Sequence, residues 1–345
     1  VRVLDGNHLP ASEKRVGPLR GRRAAPLPGQ ALVLYDPQLD LVVELAAGED
    51  AHASELAYVP PLVAAAAPGE LWIADRNFAT RSILHALHAR GAALLVREQA
   101  AYPQPTPAGE GQGRGRSATG AVYEQPVDCP APAPAPAPPT APAAPPLRLR
   151  RIEVELDTPL ENGETVLRVL TTLPATVDAV RVAALYRRRR TMEGLFQRLE
   201  AVLHSEVRTL GQPRAALLAF SVAVVAYNVL AVVQAAVETQ AAAAPEPVPV
   251  SLYYVAHTVR EHYRGLRIAV PAGVWADYDT QSPAALAGSL RQIAAHVRLE
   301  AYRKHPRGAS GPRPKKGYVP REELQHVSTA RLLADQKRQR RQQGP

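Results

Sequence analysis

"ELWIADRNFATRSILHALHARGAALLVRE", residues 70–98, decides the reading of the fold. "ELWIAD" is a short apolar run that ends on a carboxylate, and "ATRSILHALHARG" spaces its apolar residues at helical intervals up to Gly91. "AALLVRE" is a second apolar run. Strand, helix and strand in succession call for a crossover that leaves the two strands parallel. Upstream, "VRVLD", "ALVLYD" and "LDLVVELA" read as three short strands bounded by Gly or Pro, followed by a helix from about Ala51 to Ala67. Three consecutive strands pair as a meander. The order predicts an α/β fold, a mixed sheet flanked by helices.

From Gln99 to about Leu147 the periodicity dissolves. "GEGQGRGRSATG" and the Pro/Ala run "CPAPAPAPAPPTAPAAPP" read as linker, and Cys129 falls inside it. The Gly-rich piece lacks the Lys-Ser/Thr of a phosphate loop. "LRLRRIEVELDTP" and "ETVLRVLTTLP" alternate around "ENGE" as a hairpin. Helices are expected over 177–209, 215–239, 252 to about 264, and 283–303. The resulting partition is 1–98, first part of the core; 99–176, an insertion holding linkers and the β-hairpin; 177–240, a helical part of the core; 241–303, C-terminal helices; and 304–345, a basic, disordered tail.

The charge is unevenly placed. Residues 302–345 carry twelve Lys or Arg against three Asp or Glu, while the rest of the chain has twenty-nine of each. The net +9 therefore belongs to the tail, where Lys315 and Lys316 suit a polyanion as well as plain solvation. A single cysteine excludes a disulfide framework or a multi-cysteine zinc site and points to a reducing compartment, the cytoplasm by default. The chain starts at Val on a strand, without a signal-peptide pattern, and is expected to lack its natural N-terminus. "AALLAFSVAVVAYNVLAVVQAA", 215–236, has the length of a membrane span but is rich in alanine and contains Asn228 and Gln234. A buried helix of a soluble protein is expected there, with no membrane partner.

Two aspartates end apolar strands, Asp5 after "VRVL" and Asp75 after "LWIA". If those strands are neighbours, both carboxylates emerge at one edge of the sheet and could hold a hard divalent cation. Taken singly, each is better read as a turn residue. A third acid is available in "ALYRRRRTMEGLFQRLEAVLHSE", where Tyr186, Arg189 and Glu193 border an apolar stripe from Leu185 to Leu203. The alternative is a solvated charged face.

Tyr186, Arg189 and Glu193 in the spacing Y-x2-R-x3-E resemble the Y-x2-R-x3-E-x6-K signature of DDE transposases of bacterial insertion sequence family four. "LDGNHLP" resembles that family's first-aspartate motif, "IADRNF" its second, and "SEVRTLGQPRAALLAF" with "AYNVLA" the region after its glutamate. The resemblance implies an RNase H-like fold, with the first Asp on strand one, the second after strand four and the Glu on a later helix beyond a β-rich insertion. It implies metal ligation and catalysis by Asp5, Asp75 and Glu193, with two Mg2+ or Mn2+ ions per site. DNA contacts fall to Tyr186, Arg189, Arg76, Asn77, Lys315 and Lys316. The implied activity is strand cleavage and transfer on inverted-repeat ends and target DNA, by a homodimer that is nucleoid-associated when bound. Glu200 stands where the signature has Lys, with Arg198 as a neighbouring substitute, and the DNA-binding region that precedes strand one in the family is expected to be absent. A catalytically impaired DNA-binding remnant is therefore the alternative.

Overall fold

In the computed structural model, which describes residues 1–14, 16–21, 24–99, 102–132, 145–160, 162–305 and 326–342, the chain opens on β1 (Arg2–His8). β2 (Ala25–Leu27), β3 (Gln30–Asp36) and β4 (Leu41–Gly48) follow. β3 runs antiparallel to β1, with Asp5 opposite Val33, and β4 antiparallel to β3. Every residue of β3 is buried, which is why "QALVLYD" reads as a nearly continuous apolar run. The helix expected from Ala51 is shorter. A 3-10 turn, Glu55–Tyr58, leads into α1 (Val59–Ala64), because Pro60 and Pro61 lack amide donors and fit only the first turn of a helix.

β5 (Leu71–Ala74), α2 (Arg81–Ala89) and β6 (Ala93–Arg97) form the crossover that their sequence predicts. β5 lies between β1 and β6, parallel to both. Gly91, at φ +71°, ends the α2 segment in a conformation that favours glycine. Ile83, Leu84 and Leu87 of α2 join Leu4, Trp72, Phe78 and Leu94 in the core.

The segment after Gln99 departs from expectation. β7 (Thr106–Pro107), β8 (Gln112–Ser117) and β9 (Gly120–Cys129) precede β10 (Leu147–Leu156) and β11 (Val166–Thr171). The Gly-rich linker is thus largely strand. β8 carries Gly and Arg outward and buries nothing, so it has no local signature and exists through its pairing with β9. Cys129 is not in a linker: it ends β9 and is buried in the core. Most of the Pro/Ala run, 133–144, lies outside the described residues. The ten-stranded mixed sheet has the order β4-β3-β1-β5-β6-β11-β10-β9-β7, with β8 also on β9.

The helical part contains α3 (Ala179–Tyr186), α4 (Thr191–Leu203), α5 (Pro213–Ala243), α6 (Leu252–Ala269), α7 (Ala276–Asp279) and α8 (Pro283–Ala294). The single helix expected over 177–209 is interrupted by a 3-10 turn at Arg187–Arg190. From this turn Arg189 donates to Asp5 at 2.9 Å. α5 is long and apolar enough to cross a membrane. It is not buried all round, as expected, but on one face: Phe220, Val224 and Tyr227 are buried while Leu218, Val222, Val225 and Val229 are exposed.

The tail is not disordered throughout. β12 (His326–Ser328) pairs in parallel with β2, and α9 (Thr329–Gln342) buries Leu332 while Arg331 donates to Asp50 at 2.7 Å. Lys315 and Lys316 lie outside the described residues. Two compact units emerge: Val1–Gln197 with Arg208–Leu217 and His326–Pro345, and Arg198–Val207 with Leu218–Gln325.

At the β8–β9 turn, Gly120 has φ +156°, and a Cβ there would lie 1.8 Å from the Glu155 carbonyl oxygen. Gly120→Ala is therefore expected to destabilise the protein by about 2–4 kcal/mol in urea unfolding. An unchanged unfolding midpoint would contradict this packing.

Candidate functional site

The site is built by strand register. β1 and β5 pair Leu4 with Ala74, so the following residues, Asp5 and Asp75, stand level at adjacent parallel strands. β5 and β6 pair Ala74 with Val96, which brings Arg97 to the same level. Asp75 follows β5 and Arg97 ends β6, whereas Asp5, expected at a strand end, sits in the middle of β1, which continues along β3 to His8; the three neighbouring strands thus bring two carboxylates and a guanidinium to one level of the sheet.

Asp75 also closes a turn. Its Oδ1 accepts the Asn77 amide at 2.8 Å, capping the 3-10 turn Arg76–Phe78, and buried Phe78 anchors that turn in the core. Asp5 Oδ1 accepts the Gly6 amide at 3.0 Å, and Oδ2 accepts Arg189 Nη1 at 2.9 Å. Asp75 is therefore a turn residue and a member of the cluster at once, while Asp5 is a mid-strand residue of β1.

Glu55 sequence reasoning missed. Its carboxylate covers Gly6 so closely that a Cβ on Gly6 would lie 2.0 Å from Glu55 Oε1, and Asn77 Nδ2 donates to Glu55 Oε2 at 2.6 Å. Nothing local marks Glu55 among the other acids, whereas the bare Gly6 after Asp5 is the signal that could have found a close neighbour.

Burial raises the Asp5 carboxyl to about 6. Arg189 opposes the rise, Asp75 adds to it, the Gly6 amide opposes it, and Glu55 adds to it. Negative charge in the cluster is thus incompletely balanced. Burial likewise pushes the Tyr186 phenol up to about 12, keeping it neutral beside Arg189 and Arg97.

Glu193 stands apart from the aspartates. Its side chain is 63% exposed, and Arg189 Nη2 reaches its Oε1 at 3.9 Å. Arg189 is thus the link between Asp5 and Glu193. Among the described residues, no group of three or more His, Cys, Asp or Glu gathers in the manner of a metal cluster. Arg76 follows Asp75 but turns to Glu164, which Arg97 also contacts. A cleft of about 550 Å3 opens between the β10–β11 hairpin and the Arg187–Arg190 turn, with Tyr186, Arg189 and Glu193 on its wall.

Glu200 and Arg198 have partners of their own within the second unit. Glu200 Oε2 accepts the Glu206 amide at 3.0 Å, and Arg198 Nη2 donates to the Tyr227 hydroxyl at 2.6 Å with its guanidinium over that ring. His85 turns its Nε2 to the carbonyls of Cys129 and Pro130.

Residues 1–229 match the profile of the transposase DDE domain. No curated protein sequence matches. Among solved structures, the chain is similar to a piggyBac transposase synaptic complex with hairpin DNA, at 10% identity and a TM-score of 0.42 over 91% of this chain. It spans 60% of that transposase chain.

The raised Asp5 carboxyl sets a pH dependence. The native state retains a proton that the unfolded chain, near 3.8, releases, so ionising Asp5 lowers stability as pH rises from about 4 to 6. In a chelator, Asp5→Asn is expected to be more stable than the parent by about 1–3 kcal/mol above pH 7. That advantage should vanish below about pH 4. Thermal unfolding across pH reads both, and a less stable Asn variant at pH 8 would reverse the electrostatic account.

Proposed function

The chain belongs to the transposase DDE-domain family, and from that premise we propose that it is a DNA transposase cleaving and transferring strands at the ends of an insertion sequence. The observation that carries this reading is the Leu4–Ala74 register, which sets Asp5 and Asp75 side by side while Arg189 connects Asp5 to Glu193. An antiparallel run of three strands followed by two parallel ones supports an RNase H-like core, with β7–β11 as the insertion before Glu193.

Asp5, Asp75 and Glu193 are assigned as ligands of Mg2+ or Mn2+, two ions to a site. The donors fit in kind: they are all hard carboxylate oxygens, and Asp5 lies in a half-buried place with unbalanced negative charge. When bound, such ions supply Lewis-acid polarisation of the scissile phosphodiester and neutralise the charge of an in-line displacement.

The chain's own residues hold the strand. Arg189 exchanges Asp5 for a non-bridging phosphate oxygen, a contact its planar fork suits. The neutral Tyr186 phenol, packed beside it, keeps that arginine directed at the rim. Asn77 stays tied to Glu55 and steadies the turn that carries Asp75, while Arg76 faces the DNA backbone. Lys315 and Lys316 are assigned to backbone contacts in the basic tail. Joining two element ends to a target implies a homodimer during reaction.

A second reading, a DNA-binding remnant without productive chemistry, has one observation in its favour. The signature's lysine position holds Glu200, engaged with the Glu206 amide, and Arg198 is engaged with Tyr227.

The test is metal-dependent nicking of a duplex bearing the element's ends. The intact protein is expected to nick with Mn2+ and stop on chelation, and Asp75→Ala to lose about a thousandfold or more in rate. Cleavage undiminished in Asp75→Ala would dismiss the assigned site. Duplex binding without nicking by the parent protein would favour the remnant.

A further inference from the structure

Glu164 occupies the tip of the β10–β11 hairpin, and its carboxylate joins two guanidinium groups from different elements. Arg76 Nη1 donates to Oε1 at 3.1 Å, Arg97 Nη2 donates to Oε2, and Asn162 Nδ2 donates to Oε1 at 2.7 Å. The tip is closed by its own hydrogen bonds: the Glu164 amide donates to Asn162 Oδ1 at 3.2 Å and the Leu160 amide to the Glu164 carbonyl at 2.9 Å. Gly163, at φ +81°, makes the turn.

The placement of the two arginines is specific. Arg76 follows Asp75 in sequence, and Arg97 ends the strand beside it with a side chain only 19% exposed. They face a cleft of about 640 Å3 whose walls also carry Arg151 and Arg168. Those two have carboxylates of their own, Arg151 on Glu98 at 2.7 and 2.6 Å and Arg168 on Glu153 at 3.1 Å. Arg76 and Arg97 share a single one, so this pair has one carboxylate for two guanidinium groups.

Two guanidinium groups converging on paired oxygens form the donor set that binds a phosphate. We propose that Arg76 and Arg97 form a subsite for a DNA backbone phosphate next to Asp75, and that Glu164 fills it in the free protein as a carboxylate stand-in. This rests on the DNA-processing reading above. Arg97 is then a positioning residue for the strand. Glu164 is 36% exposed and Arg76 52%, so water and salt screen their pair and an incoming phosphate exchanges with the carboxylate at little cost.

The test measures fluorescence anisotropy of the full chain on a short duplex over a series of KCl concentrations. Glu164→Gln keeps the shape of the side chain and removes its charge. It is expected to bind duplex about tenfold tighter, with a salt slope steeper by about one, since the freed guanidinium no longer exchanges partners. Arg76→Ala in the Gln background is expected to cancel both changes. Equal or weaker binding by a Glu164→Gln protein with an unchanged unfolding midpoint overturns the subsite and leaves Glu164 as a staple for the hairpin. If Glu164→Gln does not fold, Arg76→Ala alone decides: about tenfold weaker binding with a slope shallower by about one supports the subsite, and no change overturns it. Parent protein that binds no duplex dismisses the DNA reading itself, whereas parent binding with an indifferent Gln variant dismisses only the subsite.

Discussion

A half-buried carboxylate in the middle of a strand, opposed by one arginine, governs this molecule. Asp5 stays in place because Val3 and Leu4 fix β1 in the core, and it stays acidic enough to matter because Arg189 reaches it from beyond the sheet. The Arg187–Arg190 turn, the end of α3 and the start of α4 are all arranged so that this reach is 2.9 Å. Removing water from a carboxylate is unfavourable, and a single guanidinium shared with Glu193 does not fully offset it. The site is therefore stored electrostatic tension, a common property of places where chemistry is carried out.

The parallel strands turn sequence into geometry. An apolar run of four residues, Leu71–Ala74, has no freedom to slip, because β5 is covered on both faces and a one-residue shift would send Trp72 and Ile73 into each other's side of the core. Asp75 inherits that rigidity, and the same rule applies to Asp5 and Arg97. Loops then supply what strands cannot: Glu55 from a 3-10 turn and Glu164 from a hairpin tip reach the rim from opposite sides of the sequence.

Much of this was legible beforehand. β1, β3, β4, β5, α2 and β6 are local events, set by short apolar runs and by Gly91, and the spacing of Asp5 and Asp75 pointed to one edge. What escaped was non-local. β8 has no apolar face and is held by β9; Cys129 looked like linker because a Pro/Ala run follows it; α9 and β12 hide in a basic tail whose burial depends on β2 and Asp50. Within the site, the Tyr186–Arg189–Glu193 spacing read as one helix face, yet a 3-10 turn divides it, and Glu193 reaches the aspartates only through Arg189. Arg97 and Glu164 had no motif to announce them, since their roles come from strand register and a hairpin.

The pairing of β12 with β2 carries a consequence for biosynthesis. His326 lies beside Ala25, so the small parallel ladder joins segments about three hundred residues apart in the sequence. Until residues 326–331 have been made, β2 lacks its β12 partner, and Asp50 waits for Arg331. Contacts of such sequence separation form slowly, and an unpaired strand is open to other chains meanwhile. The nascent protein passes through an interval in which this corner, in the same unit as the carboxylates, is unfinished.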